Sequence, residues 1–402
     1  MEFVLSELCD QVMTAHAGHK PLFVCGGGSK SFYGNHRPLT PQDGHCLLDM
    51  TAYKGIVNYQ PSELVVTVRA GTPLVELEAE LAAQGQMLGF EPPHFGETAT
   101  IGGAVAAGLA GPRRMTAGRV GDFVLGTRLL DSQGRLLSFG GEVMKNVAGY
   151  DVSRLLAGSL GIFGAIVEVS LKVLPKPFAE CTLQFEATQQ EALDHFTRWR
   201  SQPLAISATS WTALDDRQES LGVGAAADPV ENQGASAGGA GHGVTAAAAK
   251  TPGVVSVRLS GAPPAIQAAR SLIGGQELSV EQASQWWTGL REQTHTFFRQ
   301  DEPLWRVALP PVTPAQDIGL PTLIEWGGGQ RWLRGNIDAQ TVRDWAQRLG
   351  GHVTLFRPAG ATIPADGVFH PLSSGIATIT RRLKHELDPA GLFNPGRMVL
   401  EL

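Results

Sequence analysis

The spacing of apolar residues over the first 175 positions predicts a mixture of helices and short strands. Residues 3–17 place apolar side chains three and four positions apart, which is typical of an amphipathic helix. A second helix is predicted to begin at Pro73, with Thr72 as its N-cap, and to stop at Gly85. The segment 167–173 alternates strictly between apolar and polar residues, so it is predicted to be a strand with one polar face. The other strands predicted here cover residues 21–25, 47–50, 56–57, 64–68, 123–130 and 135–139.

After Pro175 and Pro177 the pattern changes to strands that alternate with helices, which predicts an α+β unit over residues 178–385. Within it, residues 222–252 are rich in glycine, alanine and serine and cannot bury enough apolar area to offset their ordering entropy. We therefore expect a flexible surface insertion there. The strands predicted in this unit are residues 182–185, 254–259, a segment near Val307, 323–326 and 352–356, and the helices are residues 191–200, 265–273, 285–298 and 339–349. A further helix is predicted near residues 376–387, in the tail that begins at Ser374.

The stretch 98–111 stands out because its fourteen residues include four glycines, five alanines and no charge. Glycine has no Cβ and permits positive φ angles, so such a backbone can converge its N–H groups on an anion or lie against a flat ring. The alternative is a tight turn between two elements that pack through small residues. Both interpretations predict close backbone contacts.

Two further glycine-rich stretches flank this one in the sequence. Residues 26–31 follow a predicted strand directly, which is an arrangement that can cradle a phosphate, although a plain strand-to-loop turn is the alternative. Their spacing does not match GxxxxGK[ST], so this is not a Walker A loop. Residues 158–164 have the spacing GxxGxxG and precede a strand, which disfavours a Rossmann nucleotide site.

The composition excludes several classes of protein. Of the 402 residues, 49 are glycine and only 17% are charged, which favours backbone-lined ligand contacts or partner surfaces. A formal net charge of −6 without a basic run argues against nucleic acid as a partner. The four cysteines are scattered, so neither a disulfide framework nor an iron–sulfur site is indicated. No signal peptide or apolar span of about 20 residues is apparent, and we expect a cytoplasmic protein that meets the inner membrane only through a complex.

Together these stretches resemble the FAD-binding PCMH-type (vanillyl-alcohol oxidase) family, in the branch of D-lactate dehydrogenases and glycolate oxidases. The resemblance covers residues 1–175 and the ending LDPAGLFNPGR at residues 387–397. It implies an α+β fold with a PCMH-type FAD-binding domain of two α/β subdomains over residues 1–176. It also implies an α+β cap domain over residues 178–385 and a return of residues 386–402 to the FAD domain.

The resemblance implies which residues hold the FAD, and the loop at 26–31 lacks the histidine of covalently linked relatives, so non-covalent FAD is expected. In the family, the segment like 26–31 binds the pyrophosphate and the segment like 100–103 lies along pyrophosphate and flavin. The segment like 149–166 supports the cofactor through backbone contacts. The cofactor-binding residues predicted on this basis are Gly26, Gly27, Gly28, Ser29, Lys30, Ser31, Pro93, Thr100, Ile101, Gly102, Gly103, Gly108, Gly158, Gly161, Gly164, Ile166 and Asn394.

Over its full length, including residues 324–333, the chain resembles the smaller flavin-binding subunits of bacterial glycolate oxidases. This implies oxidation of a small 2-hydroxy acid, glycolate or D-lactate, beside a larger flavoprotein subunit and an iron–sulfur subunit that receives the electrons. Two alternatives share the fold. One is a self-sufficient FAD oxidoreductase such as a UDP-sugar enolpyruvate reductase, and the other is a non-catalytic scaffold subunit.

The cap departs from that of the larger catalytic relatives. They carry an HxGDGNxH motif in which a metal and histidines orient the hydroxy acid and take its proton. Here the histidines after residue 180 are isolated from one another, so no metal site is expected and no catalytic residue is assigned. Arg331, Trp332 and His352 are candidates for substrate or interface contacts, with an ordinary core or surface role as the alternative.

Overall fold

The structure is a computed structural model that describes residues 1–35, 46–141, 151–214, 249–299 and 301–402. The described chain divides into two compact units. The first comprises Met1–Lys176 together with Ile363–Leu402, and the second comprises Pro177–Thr362. Residues 222–248 of the predicted insertion lie outside the described residues.

The helices and strands are numbered along the chain. The strands are β1 (Leu22–Cys25), β2 (Cys46–Asp49), β3 (Ile56–Gln60), β4 (Val65–Arg69), β5 (Gln86–Met87), β6 (Val124–Leu130), β7 (Leu136–Gly140), β8 (Ala165–Lys172), β9 (Leu174–Pro175), β10 (Ala179–Thr188), β11 (Ile206–Ala213), β12 (Pro252–Gly261), β13 (Gln276–Glu277), β14 (Leu304–Ala308), β15 (Thr322–Glu325), β16 (Gln330–Arg334) and β17 (His352–Arg357). The helices are α1 (Glu2–Ala17), α2 (Leu74–Ala83), α3 (Ile101–Ala107), α4 (Arg114–Ala117), α5 (Val152–Leu155), α6 (Gln189–Arg200), α7 (Pro263–Ile273), α8 (Val280–Arg291), α9 (Ala339–Arg348) and α10 (Ser374–Leu387).

The first unit contains a five-stranded antiparallel sheet in the order β3-β4-β8-β6-β7. Its core includes Leu77 of α2 and Ile101 of α3, both fully buried. The polar face predicted for β8 exists but is largely buried, with only Lys172 partly exposed. Glu168 on that face is buried, and its Oε1 accepts hydrogen bonds from the Tyr53 hydroxyl at 2.6 Å and from Arg128 Nη1 at 3.0 Å. These donors offset the cost of burying the carboxylate.

Strands β1 and β2 form a separate parallel pair, on which α1 and the C-terminal tail pack. The tail runs beside β1, because the Leu22 N–H donates to Leu392 and the Leu22 carbonyl accepts from the Asn394 N–H. Helix α10 also belongs to this first unit, whereas the sequence placed residues up to 385 in the cap. Lys384 on α10 is buried and donates to the carbonyl of Ile162 at 2.6 Å, which joins the helix to the first unit.

The second unit is an eight-stranded antiparallel sheet in the order β13-β10-β12-β11-β15-β16-β14-β17. One face of the sheet packs its apolar residues against α6 and α7. Helix α8 lies on the other face, where Trp286 and Trp287 donate their indole N–H groups to Ser210 and Thr182. This face therefore buries small polar side chains that the tryptophans satisfy.

Several predicted elements differ from the structure for local reasons. The helix predicted over residues 285–298 is α8, which begins earlier because Ser279 and Gln282 form a capping box. It ends before Gln293, whose φ of 55° interrupts the helix, and a separate turn of 3₁₀ helix follows at Thr296–Phe298. Strands β11 and β16 were not predicted.

Thr72 does not cap α2, because Pro73 occupies the N-cap position. The Thr72 hydroxyl instead donates to the carbonyl of Arg69 at 2.7 Å and accepts from the N–H of Gly55 at 2.8 Å. It therefore stabilises the turn that leads into the helix. The stretch 98–111 also differs from a turn, since it contains the short helix α3.

Candidate functional site

The loop that follows β1 has unused backbone donors. Among the described residues, the N–H groups of Gly26, Gly27 and Ser29 donate no hydrogen bond to the protein, while that of Gly28 is directed at the Cys25 thiol. Gly28 has a φ of 72°, and a Cβ there would meet no atom within 4 Å. Consecutive donors with open space beside them form an anion-binding nest. The phosphate-cradle interpretation of residues 26–31 thus has a geometric basis.

The loop packs directly on the N-terminal end of α3. Thr100 caps this helix by accepting from the Gly103 N–H at 3.3 Å, and Thr98 Oγ1 donates to the carbonyl of Gly27 at 2.6 Å. A Cβ on Gly26 would overlap Thr100, and one on Gly27 would overlap the backbone of Thr98. Glycine is therefore required at both positions by close backbone approach.

The third glycine-rich stretch packs on the other end of α3. The N–H groups of Gly158 and Leu160 donate to the carbonyls of Val105 and Ala106, at 3.0 and 2.8 Å. These bonds reach carbonyls of the last turn of the helix, of which that of Val105 also accepts from the N–H of the C-cap residue Gly108 at 3.1 Å. The three glycine-rich stretches therefore meet around one short helix.

A groove runs along α3, made of two adjoining cavities of about 140 Å³ and about 60 Å³ that share Gly103 and Asn394 in their walls. Its walls are mostly uncharged and small-sided. The predicted site residues that line it are Gly26, Gly27, Gly28, Ser29, Lys30, Ser31, Thr100, Gly102, Gly103, Gly161, Gly164, Ile166 and Asn394.

Four predicted residues do not line the groove. The Ile101 side chain is fully buried in the core. Gly108 and Gly158 pack against each other, since a Cβ on Gly108 would lie 2.7 Å from the Gly158 Cα. Pro93 is buried in the loop before α3 and precedes His94, whose carbonyl accepts from Lys30 Nζ at 3.1 Å. These four residues therefore support the walls of the groove and do not line it.

Asn394 connects the tail to the groove. Its Oδ1 accepts from the N–H of Val24 at 2.9 Å, and its Nδ2 donates to the carbonyl of Leu160 at 2.7 Å. The side chain is 2% exposed and the residue has a φ of 42°, which asparagine tolerates better than most residues. The amide thus links β1 to the third glycine-rich stretch.

Arg397 is a groove residue that was not among the predicted site residues. Its Nη2 lies 3.4 Å from the carbonyls of Lys30 and Ser31 and 3.1 Å from that of Tyr33, to all of which it donates. Burial lowers the pKa of its guanidinium from the usual value, while Cys25 acts in the opposite direction. The sequence signal was its place at the end of the Asn-Pro-Gly-Arg turn, three residues after Asn394. Arg397 places positive charge beside the glycine loop and holds the loop's shape.

The three candidate residues of the second unit have the positions of ordinary core or surface residues. Arg331 is 1% exposed, donates to the backbone carbonyls of Thr313 and Pro314, and has its pKa lowered to about 10 by burial. The Trp332 indole N–H donates to Glu325 at 2.7 Å inside the sheet's polar face. His352 is exposed at the start of β17. Over the described residues, no three histidine, cysteine or acidic side chains come together as a candidate metal site.

The sequence comparisons agree with this geometry. Residues 5–140 match the model of a family described as an FAD binding domain. The glycolate oxidase subunit GlcE of Escherichia coli (strain K12) is 44% identical over 98% of this chain and 97% of its own length. The chain belongs to the glycolate oxidase subunit GlcE family.

Two other relatives of this GlcE-family subunit match less than half of the chain. The glycolate oxidase subunit GlcD of Bacillus subtilis (strain 168) is 29% identical over 43% of the chain and 36% of its own length. A D-lactate dehydrogenase of Anaerostipes hadrus is 33% identical over 33% of the chain and 28% of its own length.

Among solved structures, alkyldihydroxyacetonephosphate synthase aligns with a TM-score of 0.64 and 18% identity, covering 97% of this chain and 75% of that one. At that identity the likeness concerns the fold alone. The predicted PCMH-type α+β fold with a cap is confirmed, as is the predicted family. Among the described residues of this GlcE-family subunit, no helix is long and apolar enough to cross a membrane.

Proposed function

We propose that this GlcE-family chain is the FAD-binding subunit of a complex that oxidises glycolate to glyoxylate, with D-lactate as the alternative substrate. The observation that carries the proposal is the groove along α3, with the unused N–H donors of Gly26, Gly27 and Ser29 at one end, in a chain 44% identical to a glycolate oxidase subunit over nearly its whole length. The groove residues fit a diphosphate cofactor, because they combine backbone donors with an uncharged wall.

Within the groove, this chain's residues would hold FAD without a covalent bond. The diphosphate fits the unused donors of the glycine loop, and the Arg397 guanidinium adds positive charge behind that loop. Gly103 offers bare backbone in the wall, since a Cβ there would meet only Thr100 Oγ1, at 3.2 Å. When bound, FAD supplies the two-electron acceptor for the hydroxy acid.

The proposed complex contains a larger, GlcD-like flavoprotein subunit and an iron–sulfur subunit. A partner is needed for two reasons. Removal of hydrogen from a hydroxy acid requires a base close to the hydroxyl proton and a cation for the carboxylate, both fixed relative to the flavin. In this chain the histidines after residue 180 are isolated from one another in the sequence, so the paired histidines that the larger relatives use for this step are missing. The four cysteines are scattered in the sequence and form no cluster that could carry electrons onward. We place the complex in the cytoplasm, with membrane contact through a partner.

The test is anaerobic mixing of the pure, FAD-loaded chain with glycolate while the flavin band near about 450 nm is followed, a property of oxidised flavin in general. We expect the band to persist with the chain alone and to bleach when the larger subunit is added. Rapid bleaching without a partner would show a complete active site in this chain and overturn the accessory role. Failure to bind FAD would favour a scaffold, and bleaching by NADPH would favour a reductase.

A further inference from the structure

A second cavity, of about 390 Å³, is formed wholly by residues of the second unit and has no part in the proposed function. Its walls contain the rings of Phe297 and Phe298, the side chain of Leu304 and two arginines, Arg334 and Arg357. Cavities of roughly 300–1,000 Å³ lined by aromatic residues and a few fixed polar groups are typical small-molecule sites. The cavity therefore has the size and the lining of a ligand site.

The sheet register places the two arginines side by side. Leu304 of β14 pairs with Arg334 on the neighbouring strand β16 and with Arg357 on the other neighbour, β17. The pairing with β17 is irregular between Leu304 and Trp305, but the contacts of Arg334 with Phe297 and of Arg357 with Gln293 place both side chains on the same face of the sheet. Because the two outer strands are roughly 10 Å apart, one ligand head group can lie between the two guanidinium groups, above Leu304.

Each guanidinium group donates to a neutral acceptor, and that of Arg334 also contacts the Glu302 carboxylate. Arg357 Nε donates to Gln293 Oε1 at 3.1 Å, and Arg334 Nη1 donates to the carbonyl of Phe297 at 3.0 Å. The Arg334 guanidinium carbon also lies 5.4 Å from the centre of the Phe297 ring. Burial lowers the pKa of Arg357 below its usual value, which indicates a partly desolvated cation. An arginine held in this way presents its planar fork with little further loss of side-chain entropy.

The charged side chains that line the cavity have a net positive charge, which favours an anion. Arg299, Asp301 and Glu302 also line the cavity, so it has three positive and two negative side chains. Glu302 contacts Arg334 at 2.9 Å, but its side chain is 49% exposed. Arg334 is 17% exposed, but water solvates the half-exposed Glu302 and weakens its hold, so a better buried carboxylate can displace it.

We propose that this cavity binds an organic acid whose carboxylate lies between Arg334 and Arg357 and whose apolar or aromatic body lies against Phe297, Phe298 and Leu304. The rings form an apolar wall beside the head group, which strengthens the charge-assisted hydrogen bonds to it. A two-carbon acid fills only a small part of the volume, so the ligand is larger than glycolate. The site holds a carboxylate independently of any turnover at the flavin.

The experiment uses the full FAD-loaded chain and isothermal titration with three probes: 3-phenyllactate, its uncharged analogue 3-phenylpropane-1,2-diol, and glycolate. We expect saturable binding of phenyllactate, and at least tenfold weaker binding of both the diol and glycolate. The affinity for phenyllactate should fall at least tenfold in Arg334→Gln and in Arg357→Gln. The affinity of Arg357→Lys should lie between those of Arg357→Gln and the unmodified chain. Arg348→Gln, on the exposed side of α9, is the matched control and should bind as the unmodified chain does.

Three results would overturn the proposal: no saturable binding of phenyllactate, equal binding of glycolate, or unchanged affinity in both arginine-to-glutamine variants. Tryptophan fluorescence of each variant reports whether the second unit is still folded, because all eight tryptophans of the chain lie in that unit. If one variant fails to fold, the proposal is still tested by the three probes on the unmodified chain and by the other arginine variant. The readout is binding, so failure here leaves the proposed oxidation of glycolate untouched.

Discussion

Asn394 reaches its place only because residue 161 is glycine: a Cβ on Gly161 would lie 2.7 Å from Asn394 Nδ2. Gly161 has a φ of 72°, which also favours glycine. Both residues line the groove along α3. The two positions, far apart in the sequence, thus depend on each other for the shape of the candidate FAD site.

Asn394→Ala should destabilise the first unit and weaken FAD retention. It removes the partners of the Val24 N–H and the Leu160 carbonyl, and each buried group left without a hydrogen bond costs about 1–3 kcal/mol. We expect a loss of about 2–4 kcal/mol in the free energy of unfolding, measured by urea denaturation. Asn336→Ala, at an exposed position, is the control. An Asn394→Ala protein as stable as the control would show that the amide is not a structural link.

Gly103→Val should abolish FAD binding while leaving most of the fold. Its Cβ would meet only Thr100 Oγ1, at 3.2 Å, so the added methyl groups would enter the groove and not the core. The flavin-to-protein absorbance ratio of the purified variant measures occupancy. Gly375→Val, at an open position on α10, is the matched control and should retain full flavin. Full occupancy in Gly103→Val would mean that α3 is not the flavin wall.

Acid precipitation should release all of the flavin. The glycine loop carries Gly28, Ser29 and Lys30 where covalently linked relatives have a histidine. Cys25 lies beside the loop, but burial raises the pKa of its thiol and keeps it protonated and unreactive at neutral pH. Yellow colour left in the pellet would contradict this expectation, and its loss in Cys25→Ser would identify the attachment point.

His295 should make the stability of the second unit depend on pH. Burial, and secondarily Arg299, lowers the pKa of His295 to about 4 in the folded chain, and its Nδ1 accepts from the Phe297 N–H at 3.2 Å. The unfolded value is about 6.5, so the stabilisation is complete above that pH. It declines as the pH falls towards 4, because only the unfolded chain takes up the proton. The decline is at most about 3 kcal/mol.

Urea denaturation at pH 4.5 and pH 7.5, followed by tryptophan fluorescence, measures this effect. His295→Asn should show a smaller decline between the two pH values than the unmodified chain, since asparagine keeps an acceptor that does not titrate. His385→Asn, at an exposed position on α10, should behave like the unmodified chain. An identical decline in all three proteins would exclude His295 as the cause.

Local features were readable from the sequence where neighbouring residues decide the conformation. The helix predicted over residues 3–17 is α1, and the strand predicted over residues 21–25 is β1, because the spacing of apolar residues sets which face is buried. The glycine loop after β1 was also predictable, since positive φ angles and close approach favour glycine in any fold. The family resemblance then predicted which residues of these elements line the groove.

The tertiary structure decided what depends on residues far apart in the chain. Arg397 contacts the carbonyls of Lys30 and Ser31. No periodicity could indicate these partners, because hydrogen bonds across the fold leave no pattern in either segment. The burial of Glu168 was hidden for the same reason: its strand alternates as a half-exposed strand would, and only Tyr53 and Arg128, supplied by other segments, make a buried carboxylate stable there.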